Sequence, residues 1–466
     1  MGFQNSLYFK KVVMKTIFIT SFNPFISRNI LETGIASLLS DRGIRVVVLV
    51  PEYKKNYFKK NFEAGNIIIE GIPSLKLGKQ YILFKYLSGS LINTTTRFFH
   101  QKIKYLSDQN KIHFYFSRML SIFFSRFDFL KKFVRWLDII SIDAGLAEEY
   151  LNKYSPSLLF STDIFHDLDV CFLAAGKKRN ISTVGMVRSW DNITNKGLFR
   201  IKPDKLIVHN EIVKKEAIKY EDIKPDNIFV SGLPQFDHYI NNMRSNRNDF
   251  FKKLGFDPSD RLILFGPLGR RFTNTGEQLL DILKQALRDE KIPGNVKFLV
   301  RLPPNDDFSF GDFIPNGNFF IYKPGIQFKE NIYSDWEVTM YEDLSLADSL
   351  YHSDLVVVYA SSLAIDAAVF DKPIVMVSFD GYEKKPALES MSRFAEYYEH
   401  TKKMLKTQAC FVAKDPNEMI RAINMYLNDS GLDKSGRDNL AIEQVGKLDG
   451  KSAFRIADLL SELVLR

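Results

Sequence analysis

Several short segments of this 466-residue chain gather side chains suited to binding a phosphorylated ligand or moving a proton. In DLVVVYASSLAIDAAVFDKPIV, an apolar run ends at Tyr359, passes through Ala360, Ser361 and Ser362, and gives way to a helical pattern. Small hydroxyl residues at a helix start offer side-chain and backbone donors to a phosphate, although the same serines can simply cap the helix. Asp366 follows one turn later, placed either to accept ribose hydroxyls or to bond a neighbouring loop. In VKFLVRLPPND, Arg301 stands at the end of an apolar run, ahead of Pro303 and Pro304. A permanently charged, forked guanidinium at that point suits a diphosphate, or else a surface ion pair. FGPLGRR puts Gly266 and Gly269 at the corresponding place on another strand, where a backbone without Cβ lets a ligand approach. The pattern is not GxGxxG, so a dinucleotide is not indicated.

Two further segments lie earlier in the chain. VGMVRSWDNITNKG crowds Arg188, Ser189, Trp190, Asp191, Asn192 and Lys196 behind an apolar run. A packed tryptophan beside Asp and Asn reads as a pocket wall, or as a structural turn closed by Asp191. FSTDIFHDLDV offers Asp163, His166, Asp167 and Asp169. Asp191, Asp163 or His166 can serve as a general base, and Asp167 or Asp169 is the expected cap of the next helix. The acids lack a partner histidine and an apolar-flanked DxD, so no metal is expected.

These residues need strand ends to hold them. TIFIT, IRVVVLVP and NIIIEGIP, with a helical pattern ending at Gly43, read as a βαβ start. SPSLLFST, STVGMV and DKLIVHN continue the rhythm. RLILFGPLG restarts it, and VKFLVR, DLVVVYASS and PIVMVSFD follow. The reading is α/β, with two Rossmann-like doubly wound domains facing a central cleft. Residues 1–14 are a tail, 15–240 an acceptor domain, 241–258 a polar linker, 259–430 a nucleotide-donor domain, and 431–466 C-terminal helices. Between 95 and 140 lies a helical insertion rich in basic and aromatic residues. Phe123, Phe124, Phe127 and Trp136 there either meet an anionic membrane surface, with Lys131, Lys132 and Arg135 supplying charge, or pack as core with the basic residues solvated on the other side of a helix. Hydrophobic residues make up 45%, enough for two cores, and the net charge is +9. An anionic partner fits this charge. Two cysteines, Cys171 and Cys410, make neither a disulfide framework nor a zinc cluster, and a reducing cytoplasm is expected.

YASSLAIDAAVFDKPIV, with its Lys372–Pro373 pair, resembles the nucleotide-binding domain of the GT-B superfamily. It is particularly similar to CDP-glycerol glycerophosphotransferase-like proteins and to the UDP-N-acetylglucosamine 2-epimerase group. The former group has Trp-His-Gly where this chain has Trp190-Asp191-Asn192, and His-Pro where it has Pro303-Pro304. Both histidines are therefore replaced. The RSWDN version resembles surface-polysaccharide biosynthesis proteins. The resemblance implies a transferase moving a sugar from a nucleotide sugar to a glycan or lipid-linked acceptor. The donor is then a co-substrate, with no separate cofactor and no nucleic-acid partner. The enzyme would be cytoplasmic or peripheral on the inner face of the membrane. Transfer of an alditol phosphate from a CDP-alditol, 2-epimerisation of a nucleotide sugar, and non-catalytic nucleotide or glycan binding are the alternatives.

Overall fold

The protein is described from a computed structural model covering residues 14–329 and 335–465. The expected tail lies outside the described residues, except for Met14.

Seven parallel strands form the first sheet: β1 Thr16–Thr20, β2 Arg45–Pro51, β3 Ile67–Ile72, β4 Leu158–Ser161, β5 Ser182–Met186, β6 Lys205–Val208 and β7 Ile228–Val230. Their order is β3-β2-β1-β4-β5-β6-β7. The second half contributes β8 Arg261–Gly266, β9 Val296–Arg301, β10 Phe319–Tyr322, a small antiparallel pair β11 Ile326–Gln327 and β12 Trp336–Glu337, then β13 Leu355–Val358, β14 Ile374–Val377 and β15 Phe411–Ala413. Its parallel sheet runs β10-β9-β8-β13-β14-β15. Helices cover both faces of each sheet, so whole strands are apolar. β1 is buried along its full length, and β8 along all but its first residue. Strand order reverses between β1 and β4 in one sheet and between β8 and β13 in the other. Such switch points open a crevice at the carboxyl ends of the strands.

The expected linker is not simply polar. It contains the helix Arg247–Leu254, whose Phe250 and Phe251 are buried in the core of the second half. Two buried aromatics in an otherwise charged stretch anchor it there. The final helix, Ser452–Leu465, crosses back to the first half. Its Ala453, Ile456, Leu460 and Val464 pack with Ile17, Ile35 and Leu39. Asp237 accepts from the backbone N–H groups of Ser452 at 3.1 Å and Ala453 at 2.8 Å, tying down that helix start.

The insertion is built of the helices Thr95–Asp108, Lys111–Ile122 and Asp128–Ser141. Its base is clamped to the second half. The Thr95 hydroxyl donates to the Tyr397 carbonyl at 2.7 Å, and Glu399 N–H donates to the Thr96 hydroxyl at 2.9 Å. Phe123 (60% exposed), Phe127 and Trp136 (57%) face outward, whereas Phe124 is only partly exposed. Lys131 and Arg135 do not face outward. Arg135 pairs with buried Glu221 at 2.9 Å and donates to the Phe199 carbonyl at 2.8 Å, and Lys131 is buried beside Asp128. The helix turns these two cations onto the domain and leaves Lys132 outside.

Candidate functional site

The mouth of the second sheet brings Gly266, Arg301, Ser361, Ser362 and Asp366 around one cavity of about 240 Å³, which Phe25 and Arg28 of the first half also line. Arg301 is buried. Its Nη2 donates to the Glu342 carbonyl at 2.8 Å, and its guanidinium lies 4.9 Å from the Tyr322 ring centroid. Among the described residues, no carboxylate lies within ion-pair distance of it. Burial accordingly pushes its pKa down, against the opposing influence of Tyr322, Tyr239, Asp343 and Glu342. A buried cation lacking a counterion is a site prepared for an anion.

Ser362 precedes the helix Leu363–Val369 with helical backbone angles and makes no side-chain cap bond. Its hydroxyl therefore remains available, unlike that of an ordinary capping serine. Asp366 accepts from the Tyr239 hydroxyl at 2.9 Å. Burial raises its carboxyl to about 6, although Arg28 and the Tyr239 hydrogen bond pull the other way. The two glycines serve packing as well as any ligand. A Cβ on Gly266 would stand 2.4 Å from a Leu363 methyl, and one on Gly269 would stand 2.2 Å from the Asp306 carboxyl carbon.

At the mouth of the first sheet the charges satisfy one another. Asp163 is buried and receives Arg188 Nε at 2.9 Å and Lys196 Nζ at 3.7 Å. Burial pushes its carboxyl up, but Lys196, Arg188 and His166 outweigh that and hold it at about 2. A carboxylate this well paired is a poor proton acceptor. His166, rather than Asp167 or Asp169, caps the following helix: its Nδ1 accepts from Leu168 N–H at 3.3 Å, and its ring stacks on Phe22. Asp167 instead pairs with Lys85 at 2.8 Å. Asp169 is buried beneath, accepting from the hydroxyls of Ser161 and Thr20. Burial raises its carboxyl to about 7, with the nearby Asp163 charge adding to the effect.

Asp191 accepts from the side-chain amides of Asn192 at 3.1 Å and Asn195 at 3.3 Å. Burial raises its pKa, but His400, Ser189, Arg188 and Lys196 together bring it below the usual range. Trp190 meets the His400 ring edge-on at 4.7 Å and lines a second cavity, of about 130 Å³, between the halves. Arg188 also lines that cavity, together with Phe25, Arg28, His209 and Ser362. Asp163, Asp191 and His166 do not line either of these two cavities.

Sequence reasoning missed Phe25, Arg28, Gln235 and His209. The signal for the first two was SFNPFISR, a polar segment at the end of β1 beside the switch point. There Arg28 bridges the halves. It donates to Gln235 and lies 3.8 Å from Asp343 of the second half. Two guanidinium groups lie near the Phe25 ring, with Arg28 at 5.3 Å and Arg188 at 5.6 Å from its centroid.

Residues 191–462 match the family described as CDP-Glycerol:Poly(glycerophosphate) glycerophosphotransferase. Over 177 residues the chain is 28% identical to the teichoic acid glycerol-phosphate primase of Bacillus spizizenii, covering 38% of this chain and 40% of that protein. The chain thus spans well under half the length of that curated relative. Among solved structures, it resembles the UDP-GlcNAc 2-epimerase of Neisseria meningitidis bound to UDP-GlcNAc, with a TM-score of 0.56 and 11% identity over 96% of this chain and 100% of that one. The UDP-GlcNAc 2-epimerase of Methanocaldococcus jannaschii gives 0.53 at 14% identity, again over 96% and 100%. Likeness at these identities is one of fold, and it agrees with the two facing sheets. The family match takes in more than half of the chain, including both β8 and β13 with their switch point, so this protein belongs to the CDP-glycerol:poly(glycerophosphate) glycerophosphotransferase family and has the GT-B fold.

Proposed function

We propose that this transferase moves a sugar from a nucleoside-diphosphate sugar to a hydroxyl of a surface polymer or its lipid-linked precursor. The observation that carries this reading is Arg301, a buried guanidinium without a carboxylate partner among the described residues, lining the same cavity as Ser361 and Ser362. The donor diphosphate would lie among these residues, with Arg28 reaching it from the other half. As the sugar–oxygen bond breaks, negative charge grows on the departing diphosphate. Fixed guanidinium and hydroxyl donors stabilise that charge without reorganising, which is electrostatic catalysis. The acceptor would enter from the side of the first half, past Trp190 and Arg188.

A second reading, transfer of an alditol phosphate from a CDP-alditol, is favoured by the family match and by the similarity to a glycerol-phosphate primase. Against it stand Asp191 and Pro303, where the resemblance would place that group's histidines. Donors labelled separately in the nucleotide-distal phosphate and in the carbon group separate the two. Carbon label alone in the polymer supports sugar transfer; phosphorus label arriving with it overturns sugar transfer in favour of the alditol phosphate.

The acceptor is proposed to reside at the inner face of an anionic membrane. Among the described residues, no helix is long and apolar enough to cross a bilayer. The insertion nevertheless exposes Ile112, Phe123, Phe129 and Trp136 beside Lys104, Lys111, Arg126 and Lys132. Rings at headgroup depth and flanking cations give weak, salt-sensitive attachment, each cation adding about 1 kcal/mol. Flotation with phosphatidylglycerol vesicles at low salt is the expected result. Failure to float under those conditions overturns the docking.

A further inference from the structure

His209 follows β6 directly and is 1% exposed. It lies at the wall of the cavity between the halves, which Arg188, Trp190 and Gln235 of the first half share with Ser362 of the second. Its backbone is held firmly. The neighbouring Asn210 side chain donates to the Gln444 carbonyl at 2.6 Å and accepts from Val213 N–H at 2.9 Å. A Cβ on Gly446 would stand 2.7 Å from the His209 carbonyl oxygen, so the C-terminal helices press against this point. Both ring nitrogens are buried without a hydrogen-bond partner. Burial lowers the imidazole pKa to about 4, with Asp191 the opposing charge, so the ring is neutral near pH 7.

A buried polar pair left unmatched inside a folded protein is costly, and at a cavity wall a ligand group is its natural complement. The chemistry of that ligand follows from the ring. A neutral imidazole presents one donor and one acceptor nitrogen. A phosphate oxygen at neutral pH mainly accepts, and so matches only the N–H of the ring. Arg28, on the same cavity, already offers a guanidinium for an anion. A hydroxyl both donates and accepts, so it matches whichever ring nitrogen meets the cavity, in either tautomer.

We propose that His209 hydrogen-bonds hydroxyls of the group being transferred, making the cavity between the halves a subsite for a polyhydroxylated carbon group beyond the donor phosphates. This rests on the nucleotide-donor reading given above, and it holds for either a sugar or an alditol. The subsite lies between the two halves, so it is complete only when they are closed on each other. It reads the carbon portion of the donor, whereas the Arg301 cavity reads the phosphates.

Calorimetry with two matched pairs of probes tests the assignment: CDP with CDP-glycerol, and UDP with UDP-N-acetylglucosamine. In the wild type, one intact donor is expected to bind more tightly than its bare nucleotide. His209→Ala should weaken that donor about tenfold, the equivalent of an ordinary buried hydrogen bond, while leaving the bare nucleotide unchanged. His209→Gln keeps a donor and an acceptor and should recover part of the loss. Thermal melts establish that both variants remain folded. Equal donor affinity in wild type and His209→Ala overturns the subsite, as does a loss shared equally by the bare nucleotide. Wild type that binds no nucleotide removes the donor reading and the subsite together; nucleotide binding without an increment from His209 removes the subsite alone.

Discussion

The two strand mouths facing the cleft use their charges in opposite ways. At the first, Asp163 is surrounded by Arg188 and Lys196, and the Asp191 charge also acts on both cations, so two carboxylates balance two cations. At the second, Arg301 is as deeply buried but finds a backbone carbonyl and an aromatic ring instead of a carboxylate. One cluster is paired within the protein; the other is where the proposed donor would supply the counter-charge. Charged residues of similar type at equivalent strand ends therefore divide into those paired within the scaffold and those left for the proposed donor.

Removing Asp163 gives the largest expected effect on stability. Asp163→Ala leaves the partly buried Arg188 without its carboxylate, which should cost about 3 kcal/mol, read from the urea midpoint. Its pH dependence has a definite sign. The folded carboxyl, near 2, lies below its ordinary value of 3.8, so its stabilisation is present above about pH 4 and is lost as pH falls towards 2. The variant should lack that part of the acid limb. An unchanged midpoint would show that the first mouth is not a closed ion cluster.

The second mouth should respond in the reverse manner. Arg301→Ala is expected to lower nucleotide affinity by about 1.5–3 kcal/mol, measured by calorimetry, with folding stability unchanged or raised because an unpaired buried cation is removed. Loss of stability with normal nucleotide affinity would erase the contrast between the mouths.

A smaller effect is expected from Asp366, whose folded carboxyl is raised to about 6. Its neutral form is the one compatible with a nearby diphosphate, so nucleotide affinity should rise as pH falls from 7 to 5. For an acid with a raised folded pKa, the accompanying stability is greatest at low pH and declines as pH rises through 4 to 6. Asp366→Asn should flatten the binding profile, and a wild-type profile that is already flat counts against Asp366 facing the donor. The smallest effect is reserved for EDTA. Arg301, Arg28 and the serine hydroxyls supply the positive field themselves, so turnover should be unaltered. Loss of activity restored by Mg²⁺ would transfer part of their assigned role to a cation.

Much of this arrangement was legible in the chain. Parallel strands buried on both faces are apolar throughout, so TIFIT, RLILFG and LVVV announce themselves, and residues immediately after such runs must lie at the sheet mouths. Arg301, Ser361 and Arg188 were found on that basis. What such runs do not contain is pairing across sequence. Asp163 and Arg188 are 25 residues apart, and only adjacency of β4 and β5 joins them. The phase of the helix Asp128–Ser141 decided that Arg135 turns inward to Glu221, a partner no local pattern names. His209 was the least visible, because the end of β6 looks ordinary until Ser362 and Gln444 arrive from distant parts of the chain.

The returning helix Ser452–Leu465 also has a consequence for how the protein is made. The first half emerges from the ribosome before the second, yet the apolar groove around Ile35 and Leu39 is filled by Ile456 and Leu460, which are synthesised only after the whole second sheet. At about 5–20 residues per second, that groove stays uncovered for on the order of ten seconds or more after the first sheet is complete. The nascent first half is therefore the stage at which a chaperone has an apolar strip to hold.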